Sequence, residues 1–485
     1  MEAGTRIRRC SAIALALLLV PAAAPAELRV PQQPGATETI PVPRSLATGL
    51  RLFRAGIAAP EFNAQTCASF LRAIYDNIWR APLSHFDLGE AKREAGPLVR
   101  EIFHAKLDLR AALARLEAEG PVPPECVAAM RHTMRAALFM SEYLAEHFLP
   151  AAREERAFAG DEPSLLLNPK FGAKLELRSG DVLLSRGTAF VSGAIARLGE
   201  VDGNFSHVAL VYVDPQTKEA YTVEAHIEIG SVVAPLEKYL TDGKSRAQVF
   251  RHPDAALAAE AARLMQERVA RASARGRNIP YDFGMVMDGV GAGAELFCSE
   301  VASLGYMVAS GGRLRLPRYR TVLRMKNDAF LRAIGIRAEA SFAPSDLEVE
   351  TRLALVAEWR NLGKTQRSRM TDAVITHIYA VMDEQGYELR NPVGDRIKRD
   401  LAYTARRLPL FSALLAERFP RNMPRRTLGM MLALNKTAEA MLDALERENA
   451  ARVARTGMAM AGAEMGAFLE TLPPESFHDT FRPPR

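Results

Sequence analysis

With 485 residues, 48% apolar and 25% charged, the chain has room for two or three domains with ordinary cores, so neither disulfides nor a metal is needed to hold it together. Its formal charge of +6 falls to +4 without residues 1–26, which hold three Arg and one Glu. That mild excess is not the signature of a nucleic-acid binder.

Residues 1–26 read as a signal peptide. Arg6, Arg8 and Arg9 precede the apolar "SAIALALLLV", and "PAAAPAE" offers small residues for cleavage near Ala26. The apolar run is too short to span a bilayer, and Cys10 precedes it, which argues against a lipoprotein site. No later segment reaches the ~18 uninterrupted apolar residues of a transmembrane helix. The mature chain is therefore expected to be exported, to a bacterial periplasm. It keeps Cys67, Cys126 and Cys298, an odd number for an oxidising compartment. Cys67 and Cys126 lie near helix starts in one region and offer a bridge, which leaves Cys298 over.

Residues 27–162 form an N-terminal helical region. Its first thirty or so residues are aperiodic and read as an extended lead-in. Helices follow in "NAQTCASFLRAIYDNIW", opened by Asn63, then in "PLVREIFHAKLDLRAALARLEAEG" and "PECVAAMRHTMRAALFMSEYLAEHF". An antiparallel bundle is the simplest packing. Residues 163–330 mix strands ("DVLLSRG", "HVALVYV", "EAYTVEAHIE") with the helix "AALAAEAARLMQERVARAS" and a further helix after a Gly-rich stretch. Residues 331–485 read as helical again, through "SDLEVETRLALVAEWRNL", "QRSRMTDAVITHIYAVMDEQG", "RDLAYTARRLPLFSALLAERF" and "RRTLGMMLALNKTAEAMLDALEREN". The fold class is α+β.

In "AELFCSEVASLGY", Phe297, Val301, Leu304 and Val308 share one helical face, beside the small Ala302 and Gly305. The helix should therefore start at Cys298 and approach a sheet closely. A thiol in the first turn sits among unpaired N–H groups at the positive end of the helix dipole, and both favour thiolate, the nucleophile. Burial as a structural cysteine is the plain alternative. For a base, most histidines fall on polar helical faces, whereas His207 opens a strand on the same face as Ala209 and Val211. A turn centred in "DPQT" places Glu224 opposite His207. A centre one residue later places His226 there instead. An ionised carboxylate is the better partner for an imidazolium, which favours Glu224 as orienter.

The ordered motifs "LRSGDVLLSRG", "FSHVALV", "TVEA", "IPYDF" and "FCSEVA" resemble the circularly permuted papain-like cysteine hydrolases of the YiiX/YebB-like group, relatives of the NlpC-type cell-wall peptidases. The resemblance covers about a third of the chain. It implies a central circularly permuted papain-like domain of antiparallel sheet and helices, with Cys298 as nucleophile, His207 as base and Glu224 as orienter. Tyr281 of "IPYDF" would contribute a phenolic O–H near the oxyanion, or simply pack against the hairpin. Asp181 fixes a turn, and Glu300 complements the helix N-terminus, where it would oppose thiolate formation if aimed at the sulfur. There is no Walker loop, no H-E-x-x-H and no paired C-x-x-C. No metal or organic cofactor is implied. The expected activity is an amidase or peptidase acting on peptide-like, peptidoglycan-type envelope material. The alternatives are a lipid or acyl-ester hydrolase or acyltransferase on the same site, and a catalytically idle envelope-binding module. A buried Cys298, or one far from His207, would favour the last.

Overall fold

The computed structural model describes residues 27–32, 36–41, 43–76, 81–150, 154–288, 290, 294–323, 325, 328–390, 404, 423–473 and 479–484. The expected leader lies outside them, as does the helix expected over residues 399–419, save Thr404. The lead-in is more structured than its composition suggests. A two-stranded ribbon (Glu27–Gln32 with Ala36–Pro41) is followed by α1 (Leu46–Ala58). Ser45 caps α1, and Leu46, Leu50, Phe53 and Ile57 fall on one buried stripe. The turn at Asn63 precedes α2 (Cys67–Ile74), which begins at the cysteine itself. Two long helices, α3 (Ala95–Glu119) and α4 (Pro124–Phe148, with Pro at its first position), run back to back. Cys67 of α2 and Cys126 of α4 form a disulfide with a Cα–Cα distance of 5.6 Å.

The centre is an antiparallel seven-stranded sheet: β1 (Leu165–Leu167), β2 (Val182–Gly187), β3 (His207–Val213), β4 (Ala220–His226), β5 (Gly230–Pro235), β6 (Lys244–Arg251) and β7 (Ala354–Arg360), in the spatial order β1-β7-β6-β2-β3-β4-β5. Side chains alternate between its faces. Val182, Leu184, Val208 and Leu210 enter the main core with the helices, while Leu183, Ala209 and Val211 join a smaller cluster with Tyr239, Leu240 and Trp359. Strand β7 corrects the reading of "SDLEVETRLALVAEWRNL" as helix. Its first part is a 3₁₀ turn (Pro344–Val349) and "ALVAEWR" is a strand. Leu355 packs on one face and Val356, Ala357 and Trp359 on the other. A strand covered on both sides shows no polar alternation to read.

Helix α5 (Ala255–Ala274), capped by Asp254, and α6 (Cys298–Ala309) pack together against β3. The C-terminal region supplies α7 (Thr365–Gln385) and α8 (Arg425–Thr456). Both helical flanks are tied to the sheet by buried charge. From α3, Lys106 pairs with Glu358 of β7, and Arg110 donates to the carbonyls of Leu347 (2.9 Å) and Glu350 (2.6 Å). From α4, Glu142 pairs with Arg246 of β6 at 2.8 Å. From α7, Asp372 accepts from Arg186 of β2 at 2.7 Å and lies 3.2 Å from Arg197 and 3.4 Å from Arg246. Breaking one such buried pair costs about 3–5 kcal/mol, so the flanks are built into the domain rather than appended to it. Among the described residues, no helix is long and apolar enough to cross a membrane.

Candidate active site

The chain reaches Cys298 through a one-residue parallel pairing. Leu296 N–H donates to Pro280 O at 3.0 Å and Asp282 N–H to Leu296 O at 3.2 Å, which sets Tyr281 alongside the start of α6. The Asp282 carboxylate then accepts from Gly284 N–H and Val286 N–H, both at 2.7 Å, and holds the turn that follows. Nothing in the sequence pattern marked Asp282; its role appears only once the turn is closed. Cys298 is the first residue of α6, as the apolar stripe predicts. Gly305 is required about two turns later. A Cβ there would lie 2.9 Å from Met265 Cγ and 3.0 Å from Ala261 O, so α6 sits close against α5 because this residue has none. Val308 departs from the expected face and is exposed.

His207 opens β3, where its register partner on β2 is Ser185. The hairpin register corrects the expected one. Leu210 pairs with Val223 and Val211 with Thr222, so the ladder extrapolates to His226, not Glu224, across from His207. The cause is Asp214, whose side chain accepts from Gln216 N–H (2.8 Å) and Thr217 N–H (2.9 Å); Lys218 then turns at φ 63°, lengthening the loop. Glu224, on the diagonal, nevertheless reaches His207: Nε2 to Oε2 is 2.7 Å. Its other oxygen accepts from Thr222 Oγ1 at 2.5 Å. His226 is brought in as well, with Nε2 3.4 Å from the same Glu224 oxygen and its ring stacked on that of His207 at 5.2 Å. Both candidates left open by the sequence therefore converge on one carboxylate.

With Nε2 engaged by Glu224, Nδ1 is the His207 nitrogen left for the thiol, and His207 and Cys298 are close enough to perturb each other's protonation. Burial alone would discharge the imidazole, but the neighbouring Cys298 and the bonded Glu224 prevail, pushing His207 up to about 10. Burial likewise opposes the thiolate. The imidazolium, the Val208 N–H and Ser299 outweigh it and pull Cys298 below its ordinary 9.0. Glu224 is held well below the usual carboxylate range against its burial, chiefly by His207 and His226. Tyr281 is pushed far above its ordinary 10 by burial and by the neighbouring Cys298, and keeps its proton. Arg268 of α5, lowered by burial, feels the opposing charge of Glu300. Asp181 accepts from Arg178 N–H at 2.8 Å and pairs with Arg251 at 2.7 Å, a turn-fixing role. Cys298 is only 4% exposed, whereas the His207 side chain is 22% exposed, so the sulfur is approached past the imidazole.

A cysteine at a helix head, an imidazole beside it and a carboxylate behind the imidazole, on an antiparallel sheet, are the parts that a papain-like thiol hydrolase combines. Here the histidine strand precedes the cysteine helix in the chain, the permuted order. Residues 176–350 match the permuted papain-like amidase enzymes of the YaeF/YiiX, C92 family. The α+β class, with this domain central and helical regions at both ends, stands accordingly. Among solved structures, that of the metalloprotein yiiX from Escherichia coli O157:H7 is 20% identical and covers 38% of this chain and 97% of its own, with a TM-score of 0.28. No curated protein matches the chain.

Proposed function

We propose that the protein is an exported cysteine amidase that cleaves peptide-like amide bonds of cell-envelope material. The observation that carries this reading is the convergence at the head of α6 of Cys298, the His207 that draws its thiol down, and the Glu224 bonded to that His207 at 2.7 Å. The Cys298 thiolate attacks the amide carbon; Tyr281 O–H and first-turn N–H groups receive the oxyanion. His207 gives its Nδ1 proton to the leaving nitrogen, the C–N bond breaks, and a thioester remains on Cys298. Water then gives a proton to His207 and its hydroxide to the thioester, releasing acid and thiolate. Glu224 keeps the ring oriented throughout. Export is supported by the Cys67–Cys126 bridge, which suits an oxidising compartment.

Cys298→Ala is expected to lower turnover of peptidoglycan fragments by ~10⁴-fold or more and to abolish iodoacetamide labelling at that position. Turnover at the parent rate would overturn the assignment. The burial of Cys298 favours a second reading, an idle envelope-binding module, which predicts tight fragment binding with no turnover in the parent. For acyl-ester chemistry the support is weaker. The mostly apolar groove of about 410 Å³ along α6 is walled by Leu304, Met307 and Val308 and includes neither Cys298 nor His207.

A further inference from the structure

The use of His226 is not explained by the hydrolytic steps above. It points Nε2 at the same Glu224 oxygen that binds His207, and these three ligand atoms lie within 4.8 Å of one another. Two imidazole nitrogens and one carboxylate are the donor set of borderline transition-metal ions such as zinc, not of calcium or magnesium, which take oxygen. The spacing also suits such an ion. Ligand atoms bonded at about 2.1 Å in tetrahedral directions stand about 3.4 Å apart, so His226–Glu224 at 3.4 Å needs no change and His207–Glu224 at 2.7 Å opens by about 0.7 Å. Entry is open, since His207 and His226 are 22% and 32% exposed while the carboxylate beneath them is buried. Lys244, whose ammonium is held by Tyr239 O at 2.6 Å, faces the Glu224 charge and weakens the site, which favours reversible occupation.

We propose that His207, Glu224 and His226 bind one zinc-class divalent ion, and that its binding switches the hydrolase off. As the metal–Nε2 bond forms, the proton that His207 donated to Glu224 leaves to solvent. Nδ1 keeps its hydrogen. A ring with metal on one nitrogen and hydrogen on the other has no lone pair to take a proton from water, and it could protonate a leaving amine only by becoming an imidazolate. His207 then cannot complete either half of the hydrolytic cycle. The switch rests on the hydrolase reading; the binding site does not. Cys298 faces Nδ1 and is not a ligand.

The test uses metal-stripped full-length chain titrated with zinc alone against a chromogenic chelator. One zinc per chain is expected for the parent and equally for Cys298→Ser, with affinity reduced by ~10–100-fold or more in His226→Asn. Circular dichroism checks the variant's fold. Independently of any variant, zinc should shift the Nε2 resonances of His207 and His226 in the parent while Nδ1 of His207 stays protonated. Zinc should also stop Cys298-dependent turnover, with recovery in EDTA and resistance in His226→Asn. The site is refuted if the parent takes up no zinc at ~100 μM, if His226→Asn binds as tightly, or if Cys298→Ser loses the ion. Zinc bound as expected but no Cys298-dependent hydrolysis at all would sink the hydrolase reading and the switch together, leaving the site.

Discussion

Asp372 offers the sharpest test of how the C-terminal flank is joined to the sheet. It lies on α7, fully buried, with guanidiniums of Arg186, Arg197 and Arg246 at 2.7, 3.2 and 3.4 Å. Burial opposes its charge, but the three guanidiniums hold the carboxyl at about 2 rather than its ordinary 3.8. That gap corresponds to about 2.5 kcal/mol of folding stability, fully present above pH 3.8 and lost as pH falls through 2. Asp372→Asn keeps the shape and removes the charge, leaving three buried cations without their shared counter-ion, so a loss of about 3–5 kcal/mol is expected at pH 7. Urea unfolding followed by circular dichroism measures it. Because the cost comes from uncompensated cations, adding Arg197→Met should recover part of it. A variant within about 0.5 kcal/mol of the parent would show that the buried charges do not carry the attachment.

Two further outcomes follow from buried groups away from the site. Burial, with Glu358 nearby and despite Lys106, pushes Glu348 up to about 7. Its folded value is raised, so the parent should lose about 3 kcal/mol relative to Glu348→Gln as pH rises from 4.5 to 7, with no further difference above; equal pH profiles in equilibrium unfolding would refute this. The Cys67–Cys126 bridge closes a 59-residue separation, which chain entropy values at about 4 kcal/mol. The Cys67→Ser/Cys126→Ser double variant should unfold at correspondingly lower urea, and an unchanged midpoint would count against that stabilisation.

The placement of Cys298 at a helix start is readable from the stripe around it and the small Gly305, because helix starts and close approaches leave local marks. Helix α1 is hard to read because its buried stripe is interrupted by Ala, Gly and Arg and flanked by Pro-containing text. Strand β7 was mistaken for helix because burial on both faces erases alternation. The hairpin register was missed by one residue because Asp214 adds to the loop through side-chain bonds that spacing alone does not reveal. Glu224 nonetheless reaches His207, since a long side chain on the diagonal spans what the backbone register does not. The docking of the flanks through paired buried charges is not legible, because a charged residue in helical text reads as solvated until its partner, 252 residues away for Lys106 and Glu358, is brought to it.

Strand β7 has a practical consequence for anyone wishing to isolate the central domain. It lies between β1 and β6, yet it begins at Ala354, just after the matched segment ends. A fragment cut at that boundary would bare the N–H and C=O groups along Lys244–Arg251, an eight-residue template for sticking to its own kind. The shortest soluble form should therefore run on past Arg360.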